Sequence, residues 1–408
     1  MALLIRPAIL IDCTGSPPRK AMQVRVEAER ITAIEPSGQG SPDRNDQVLE
    51  APGATLIPGL MDLHMHLFQW GQRHDVPWER EPILEAGLRG ARNASTLLDI
   101  GVTTARDVGS RDNLNIQLRD LINAGIVRGP RLFASGTNIG VAGRAAYFFR
   151  MLEINGPEDA RAVTRRQLRA GADWIKIMAT TGVGGGTGNL VGDPGWQELG
   201  EDEIRAAAVE THNPGRRITA HAIGTAGIKA AVRAGVDSIE HGNYLDDEAI
   251  TMMRERDVAL IPTLIITKNL GEHGTERGFE RNIVERAKRT LEAGLASVLR
   301  AHRAGVRVAV GSDVDLDETA AQEIRMLIRA GLSAMDAIVA ATRVAASVLG
   351  LEDSLGTVEV GKIADLILVR GDPLVDPDAL DRVTHVIQKG RLVKSPSPID
   401  STPASEKK

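Results

Sequence analysis

The stretch GLMDLHMH, residues 59–66, closes an apolar run with two histidines one residue apart. In a β-strand successive side chains alternate faces, so Asp62, His64 and His66 point one way and Leu63 and Met65 the other. Two neighbouring imidazoles on a buried face need partners, because an unpaired polar group is costly to remove from water. Either they are hydrogen-bonded histidines of a core, or they are half of a metal site. The stretch alone leaves both readings open.

Working outward, residues 56–350 repeat runs of the same kind: LIPGLMDLHMH, GVTTARDVG, GPRLFASG, DWIKIMA, RITAHA, VDSIEHG, VALIPTL and VRVAVGSD. Segments of helical character separate most of them, among them ILEAGLRGARNASTLLDIG and EDEIRAAAVETH. In AGADWIK, AGVDSIE and AGVRVAV a glycine stands between helix and strand, a C-cap signal. Strand–helix alternation predicts parallel strands joined by crossover helices, an α/β fold. Eight runs are the number that closes a (β/α)8, TIM-like barrel. A doubly wound open sheet alternates in the same way and remains the alternative.

The two ends of the chain read differently. ALLIRPAILID, MQVRVEAERITAIEP and QVLEAPGATLIPG carry hairpin signals, and GTVEVGKIADLILVRGD and HVIQKGRLVK repeat the style near the C-terminus. A small β-sandwich domain assembled from residues 1–55 and 355–395 is expected, with the barrel over 56–354. Residues 396–408, rich in Ser and Pro and charged at the end, are expected to form a mobile tail.

Composition narrows the class. Charged residues at 25% and apolar ones at 42% suit a globular chain of 408 residues, large enough for a barrel and a smaller domain. The net charge of −5 argues against a nucleic-acid or anionic-membrane partner. Cys13 is the single cysteine, which removes intrachain disulfides and thiolate-rich zinc sites from consideration. Arg6 and Asp12 interrupt the apolar start MALLIRPAILIDCTG, so it reads as strand and not as a signal peptide. No stretch reaches the roughly 18 uninterrupted apolar residues that span a bilayer. A cytoplasmic, soluble protein acting on a small molecule is the expectation, as a homo-oligomer.

In a barrel, reactive residues gather at the C-terminal ends of the strands. His64 and His66 end the first run, His221 the fifth, His241 the sixth and Asp313 the eighth, while Lys176 lies within the fourth. His212 and His302 fall instead in helical segments. Four imidazoles, a carboxylate and a lysine at such positions are hard to explain as core packing. Lys176, flanked by Trp174, Ile175, Ile177 and Met178, is the oddest member, since lysines are almost never buried without a partner. It could pair with an acid such as Asp107, serve as a Schiff-base amine, or take up CO2 as an anionic carbamate between two metals. The glycine-rich TGVGGGTGNL, 181–190, lacks the GK[ST] ending of a phosphate-binding loop and reads as a flexible loop over the barrel mouth, extending to about residue 196.

The set GLMDLHMH, DWIKIM, TAHA, IEHG and GSD, in this order, resembles the amidohydrolase superfamily. GADWIKIMATTGV, AGVDSIEHGNYLDDEAI, LIPTL, LSAMDAIVAATRVAASVLG and GTVEVGKIADLILV are similar to its branch of imidazolonepropionase-like enzymes, metal-dependent dipeptidases and ochratoxin-type amidases. The resemblance spans nearly the whole chain. It implies that His64, His66 and Asp313 bind one divalent metal, that His221 and His241 bind a second, and that Lys176, carboxylated by CO2, bridges them. Zinc is the expected ion, and other divalent first-row ions suit the same donors. The implied reaction is attack on an amide carbonyl by a hydroxide shared between the metals, with Asp313 as general base and then acid.

The chain also departs from this branch. Where relatives commonly read HAHG after the fifth strand, it reads HAIG, placing Ile223 where a polar pocket residue is usual. The turn after the third strand is GVAGR, which brings in Arg144, and DVDLDETAAQE after GSD has no histidine. Asp315 and Asp317 in that segment read as loop carboxylates. Ile223, Arg144 and Tyr244 are the candidate substrate contacts. Hydrolysis of an N-acyl amino acid, dipeptide or aryl amide is the expected activity; a carbamate, urea or other small xenobiotic is the alternative substrate. A non-catalytic scaffold is the reading from a different class, disfavoured because the ligand set is complete.

Overall fold

A computed structural model describes residues 2–39, 42–69, 81–143, 151–183, 195–313 and 320–395. Packing divides the chain into two compact units. One draws on the described residues of Met1–Met61, Leu97–Thr103 and Ala334–Lys408, the other on those of Asp62–Thr96 and Thr104–Ser333.

The larger unit is built on parallel strands. Leu60–Met65, Val102–Asp107 and Arg131–Ala134 form one sheet in that order. Ile139–Val141, Trp174–Met178, Arg217–Ala222, Ser238–His241 and Ala259–Ile261 follow one another in a second, with Leu152–Ile154 at its edge. Backbone hydrogen bonds join the two at both ends. Asp173 N–H donates to Ala134 O at 2.8 Å; Leu260 pairs with Val308, and Leu63 N–H donates to Val310 O at 2.9 Å. The eighth run thus enters as a hydrogen-bonded stave beside the first, and the ring is a (β/α)8 barrel. Nearly every residue of Trp174–Met178, Arg217–Ala222 and Ser238–His241 is buried, as strands covered on both faces must be.

The intervening helices obey the sequence signals. Glu201–His212 and Asp247–Glu255 begin with acidic first turns, and Asp246 caps the second by accepting from Ala249 N–H at 2.8 Å. Gly171, Gly235 and Gly305 all adopt left-handed backbone, φ 98°, 98° and 86°, at the helix-to-strand junctions. That conformation is what a helix C-terminus asks of the residue after it. Among the described residues no helix is long and apolar enough to cross a membrane.

The smaller unit contains an eight-stranded mixed sheet, in which Ala2–Leu10 runs parallel to Gln47–Pro58 and the C-terminal strand Leu366–Arg370 lies antiparallel to Gln47–Pro58. Ile31 near one edge of the sheet and Ile387 near the other pack into a single apolar cluster with Leu3, Ile5, Val24, Leu56 and Leu366. The sheet therefore folds over one core, as a β-sandwich does. Helices Ala334–Ala340 and Arg343–Leu349 belong to this unit too. The segment 396–408, expected to be a tail, lies outside the described residues.

Candidate metal centre

Alternation along the first barrel strand puts Asp62 and His64 inside, and both are buried. Asp62 works as a strut. One of its oxygens, Oδ1, accepts the N–H of His64 and the N–H of Ser312, each at 3.1 Å. Asp313 N–H then donates to His64 O at 2.8 Å, so the first strand and the GSD turn are tied residue by residue. Gly311 has to be glycine here, since a Cβ would stand 2.4 Å from Ile261 Cγ2 and 2.7 Å from His64 Cβ. This close approach brings His64 Nε2 to 3.7 Å and His66 Nε2 to 3.6 Å from Asp313 Oδ1. One ligand atom from each of the three residues lies within 4.8 Å of the other two.

His221 and His241 lie beside this triad. Their ring centroids are 4.3 Å apart, and His241 is 5.1 Å from His64. Strict alternation would turn His241 away from the interior face that carries Ser238 and Glu240. Left-handed backbone at His241, φ 74°, breaks the alternation, and Asp313 is likewise left-handed at φ 55°. Such conformations are unfavourable outside glycine and collect at functional sites.

Each imidazole has one ring nitrogen engaged by the protein. His64 Nδ1 lies 2.6 Å from Glu240 Oε2, His66 Nδ1 2.9 Å from Gly109 O, and His241 Nδ1 2.6 Å from Thr263 Oγ1. His221 uses Nε2, 3.3 Å from Thr181 O. The other nitrogen of each ring has no hydrogen bond among the described residues, the arrangement in which histidine ligates a metal while a second group orients it. Burial pushes His66 down to about 4 and His221 to about 3, and the charge on Lys176 adds to the effect at both. Burial holds His64 and His241 well below the ordinary histidine value as well. All four rings are therefore neutral at physiological pH, the form that ligates.

Lys176 faces the same space. It is 2% exposed and makes no hydrogen bond or ion pair among the described residues. The pairing with Asp107 does not occur. Asp107 accepts instead from Leu67 N–H, Gly109 N–H and Asn115 Nδ2, which braces the Gly109 carbonyl against His66. Burial lowers the pKa of Lys176, with the carboxylates of Glu240 and Asp313 opposing the shift. Burial in turn raises that of Asp313, against the pull of Lys176. Among the described residues, a buried amine with no hydrogen bond or ion pair, four imidazoles each with one nitrogen unbonded, and a carboxylate make a donor set that fits divalent metal.

The remaining candidates are spread. Ile223 is buried, its N–H donating to Thr180 Oγ1 at 3.0 Å and its carbonyl accepting from Tyr244 N–H at 3.1 Å. The hydroxyl of Tyr244 pairs with Thr290 Oγ1 at 3.0 Å. Arg144, Asp315, Asp317 and residues 184–194 of the glycine-rich segment lie outside the described residues. Four residues around the centre escaped the sequence reading: Arg106, Glu240, Thr263 and Glu323. For Arg106 and Glu240 the sequence offers a charge within a strand, a signal that becomes specific only when closure of the ring makes that face interior.

A sequence model of the Amidohydrolase family matches residues 55–393. Ochratoxinase of Aspergillus niger is 28% identical over an alignment that covers 96% of this chain and 87% of that enzyme. Imidazolonepropionase of Micrococcus luteus is 26% identical, with coverage of 84% and 86%. Among solved structures, a Xaa-Pro dipeptidase with methionine bound in its active site superposes with a TM-score of 0.87 at 31% identity, covering 97% of this chain and all of that one.

Proposed function

Because this chain belongs to the amidohydrolase family and is a hydrolase of carbon–nitrogen bonds, we propose that it cleaves an amide with the help of two divalent cations. The observation that carries the reading is the free-nitrogen arrangement of the four buried imidazoles around Asp313 and Lys176. His64, His66 and Asp313 would hold one cation, and His221 and His241 the other. Lys176, as the neutral amine, adds CO2: an N–C bond forms, one proton leaves, and the side chain becomes an anion able to serve both cations. Zinc suits these nitrogen and oxygen donors, as do other divalent first-row ions.

When bound, two such cations supply a water acidic enough to ionise near neutral pH and a Lewis acid for the carbonyl oxygen. The protein's own groups do the rest. Asp313 Oδ1, within 4 Å of both His64 and His66 Nε2, accepts the proton of the attacking water and returns it to the leaving nitrogen. Desolvation raises the proton affinity of that carboxyl, which suits a group that must both take and give a proton.

The substrate we infer carries an apolar or aryl portion that packs against Ile223, next but one to His221. An apolar wall there discriminates against small polar dipeptides, whose groups it cannot pair. A panel of dipeptides, N-acyl amino acids, aryl amides and phenylureas, assayed with zinc-loaded enzyme, tests the reading. The expected order places aryl or N-acyl amides above Ala- and Gly-containing dipeptides in kcat/KM, with Ile223→His narrowing the gap. Preference for the small dipeptides, unaltered by that substitution, would contradict the pocket assignment, and absence of any C–N hydrolysis would contradict the function.

A further inference from the structure

We propose that Glu240, held by Arg106, is a positioning residue that fixes the tautomer of His64 and thereby aims its Nε2 lone pair at the metal centre; the metal end of this inference rests on the function proposed above. Glu240 Oε2 lies 2.6 Å from His64 Nδ1. Its other oxygen accepts from Arg106 Nη2 at 2.6 Å, from Ser238 Oγ at 3.2 Å and from Thr219 Oγ1. With that guanidinium donating to one oxygen, the second meets His64 as an acceptor, so the ring proton resides on Nδ1 and Nε2 is left with its lone pair.

The network is anchored on the strand it serves. Arg106 Nε donates to Leu63 O at 2.7 Å, one residue before His64, and its guanidinium lies 4.4 Å over the ring of Trp174. Arg106 and Glu240 are both fully buried. The interior of a barrel is ordinarily filled by branched apolar side chains, which pack there without the desolvation that a buried ion pair requires. A charged pair at this depth, with one end on a candidate ligand, calls for a role that apolar packing cannot fill. It is also a distinct brace. Gly109 O and Thr181 O are neutral carbonyls and Thr263 Oγ1 is a hydroxyl that either donates or accepts, whereas His64 alone among the four has a carboxylate, the stronger partner. The arginine beside it balances the charge, so orientation is obtained without a net negative site beneath the cations.

Glu240→Gln tests this with little change of shape. Arg106 cannot stop donating, so the glutamine oxygen turns to it and the amide N–H2 faces His64 Nδ1, which must then accept. The ring proton moves to Nε2. The expected result is a cobalt(II) dissociation constant weaker by about 10- to 100-fold for one of the two equivalents, the other unchanged, as for loss of an outer partner of a ligating histidine. Glu240→Asp, which restores the carboxylate, should recover part of the loss; a merely structural residue would not separate the two variants at one site only. In the metal-free wild-type chain, 15N spectra of labelled histidine should show His64 protonated on Nδ1, a readout that needs no variant to fold. Equal affinity of Glu240→Gln and wild type for both equivalents, or an Nε2 proton on wild-type His64, would overturn the inference. A wild-type chain that takes up no cobalt at all would overturn the proposed function instead, and the tautomer would still decide the role of Glu240.

Discussion

The hydroxyl of Thr263 lies 2.6 Å from Nδ1 of His241, and Thr263 itself is held in left-handed backbone, φ 47°, at the head of the helix Leu264–His273. What fixes that head is Glu323, which comes from the helix Ala320–Arg329. Its two oxygens accept the N–H groups of Leu264 and Ile265 at 2.8 and 2.9 Å. A carboxylate at the first turn satisfies donors that have no partner within the helix. Glu323→Ala would leave two buried N–H groups unpaired, a loss of roughly 2–4 kcal/mol. Urea unfolding of the metal-free protein should register it, together with weaker metal binding at the His221–His241 side. Unchanged stability would show that Glu323 does not support this turn.

Lys176→Ala removes the anion proposed to lie between the cations. Metal content should fall from two equivalents toward one, and short carboxylates such as acetate should restore part of the activity. Two tightly held equivalents in the variant, or an uncarboxylated Lys176 Nζ in the metal-loaded protein under bicarbonate, would contradict the bridge.

Asp313→Asn keeps the shape and removes the base. Turnover should drop by about 10²- to 10⁴-fold, the usual contribution of a positioned proton-transfer group. Substantial metal should remain, since four imidazoles and Lys176 persist. An unaltered kcat would exclude proton transfer through this carboxylate.

The pH dependence of metal binding has a definite sign. Protons compete only with ligands that hold them, and burial keeps His66 and His221 at about 4 and about 3, so these rings stay available well below the ordinary histidine range. Burial raises Asp313, so acidification should protonate this carboxylate before those imidazoles and weaken binding as the pH falls. In Asp313→Asn affinity should be lower throughout and flatter with pH between about 5 and 7, a window set between these groups. A wild-type loss that follows the ordinary histidine value, and persists in the variant, would assign it to the imidazoles.

Much of this centre was legible because polar residues interrupt apolar runs at their C-terminal ends. His64, His66, Lys176 and His221 each stand out against flanking Ile, Leu, Met or Ala, Asp313 closes the apolar run VRVAVGSD, and the barrel rule turns that pattern into a location. Arg106 and Glu240 are not legible in the same way, because TTARD and DSIEH each hold two charged residues and read as strands with a solvent face. Only closure of the ring shows that face to be interior. His241 stands at a strand end in IEHG, yet the left-handed backbone turn that brings it beside His221 and His64 cannot be inferred from that stretch. The link from Glu323 to the turn at Thr263 joins residues distant in the chain through backbone donors, which carry no residue-type signature at all. The domain that unites both ends of the chain was visible in its hairpins; the inclusion of Ala334–Ala340 and Arg343–Leu349 in that unit depends on packing, which helical periodicity does not specify.

The dependence of amide hydrolysis on two cations at these residues is tested most directly by titration. The protein is stripped with a chelator, zinc is returned in measured equivalents, and hydrolysis of the best aryl or N-acyl amide is followed at each step. Activity should be absent from the stripped chain and climb to a plateau at about two equivalents per chain, the count of a binuclear site. In His241→Ala the same titration should stop well short of the wild-type plateau. Full activity in a chain from which the metal has been removed would contradict the account.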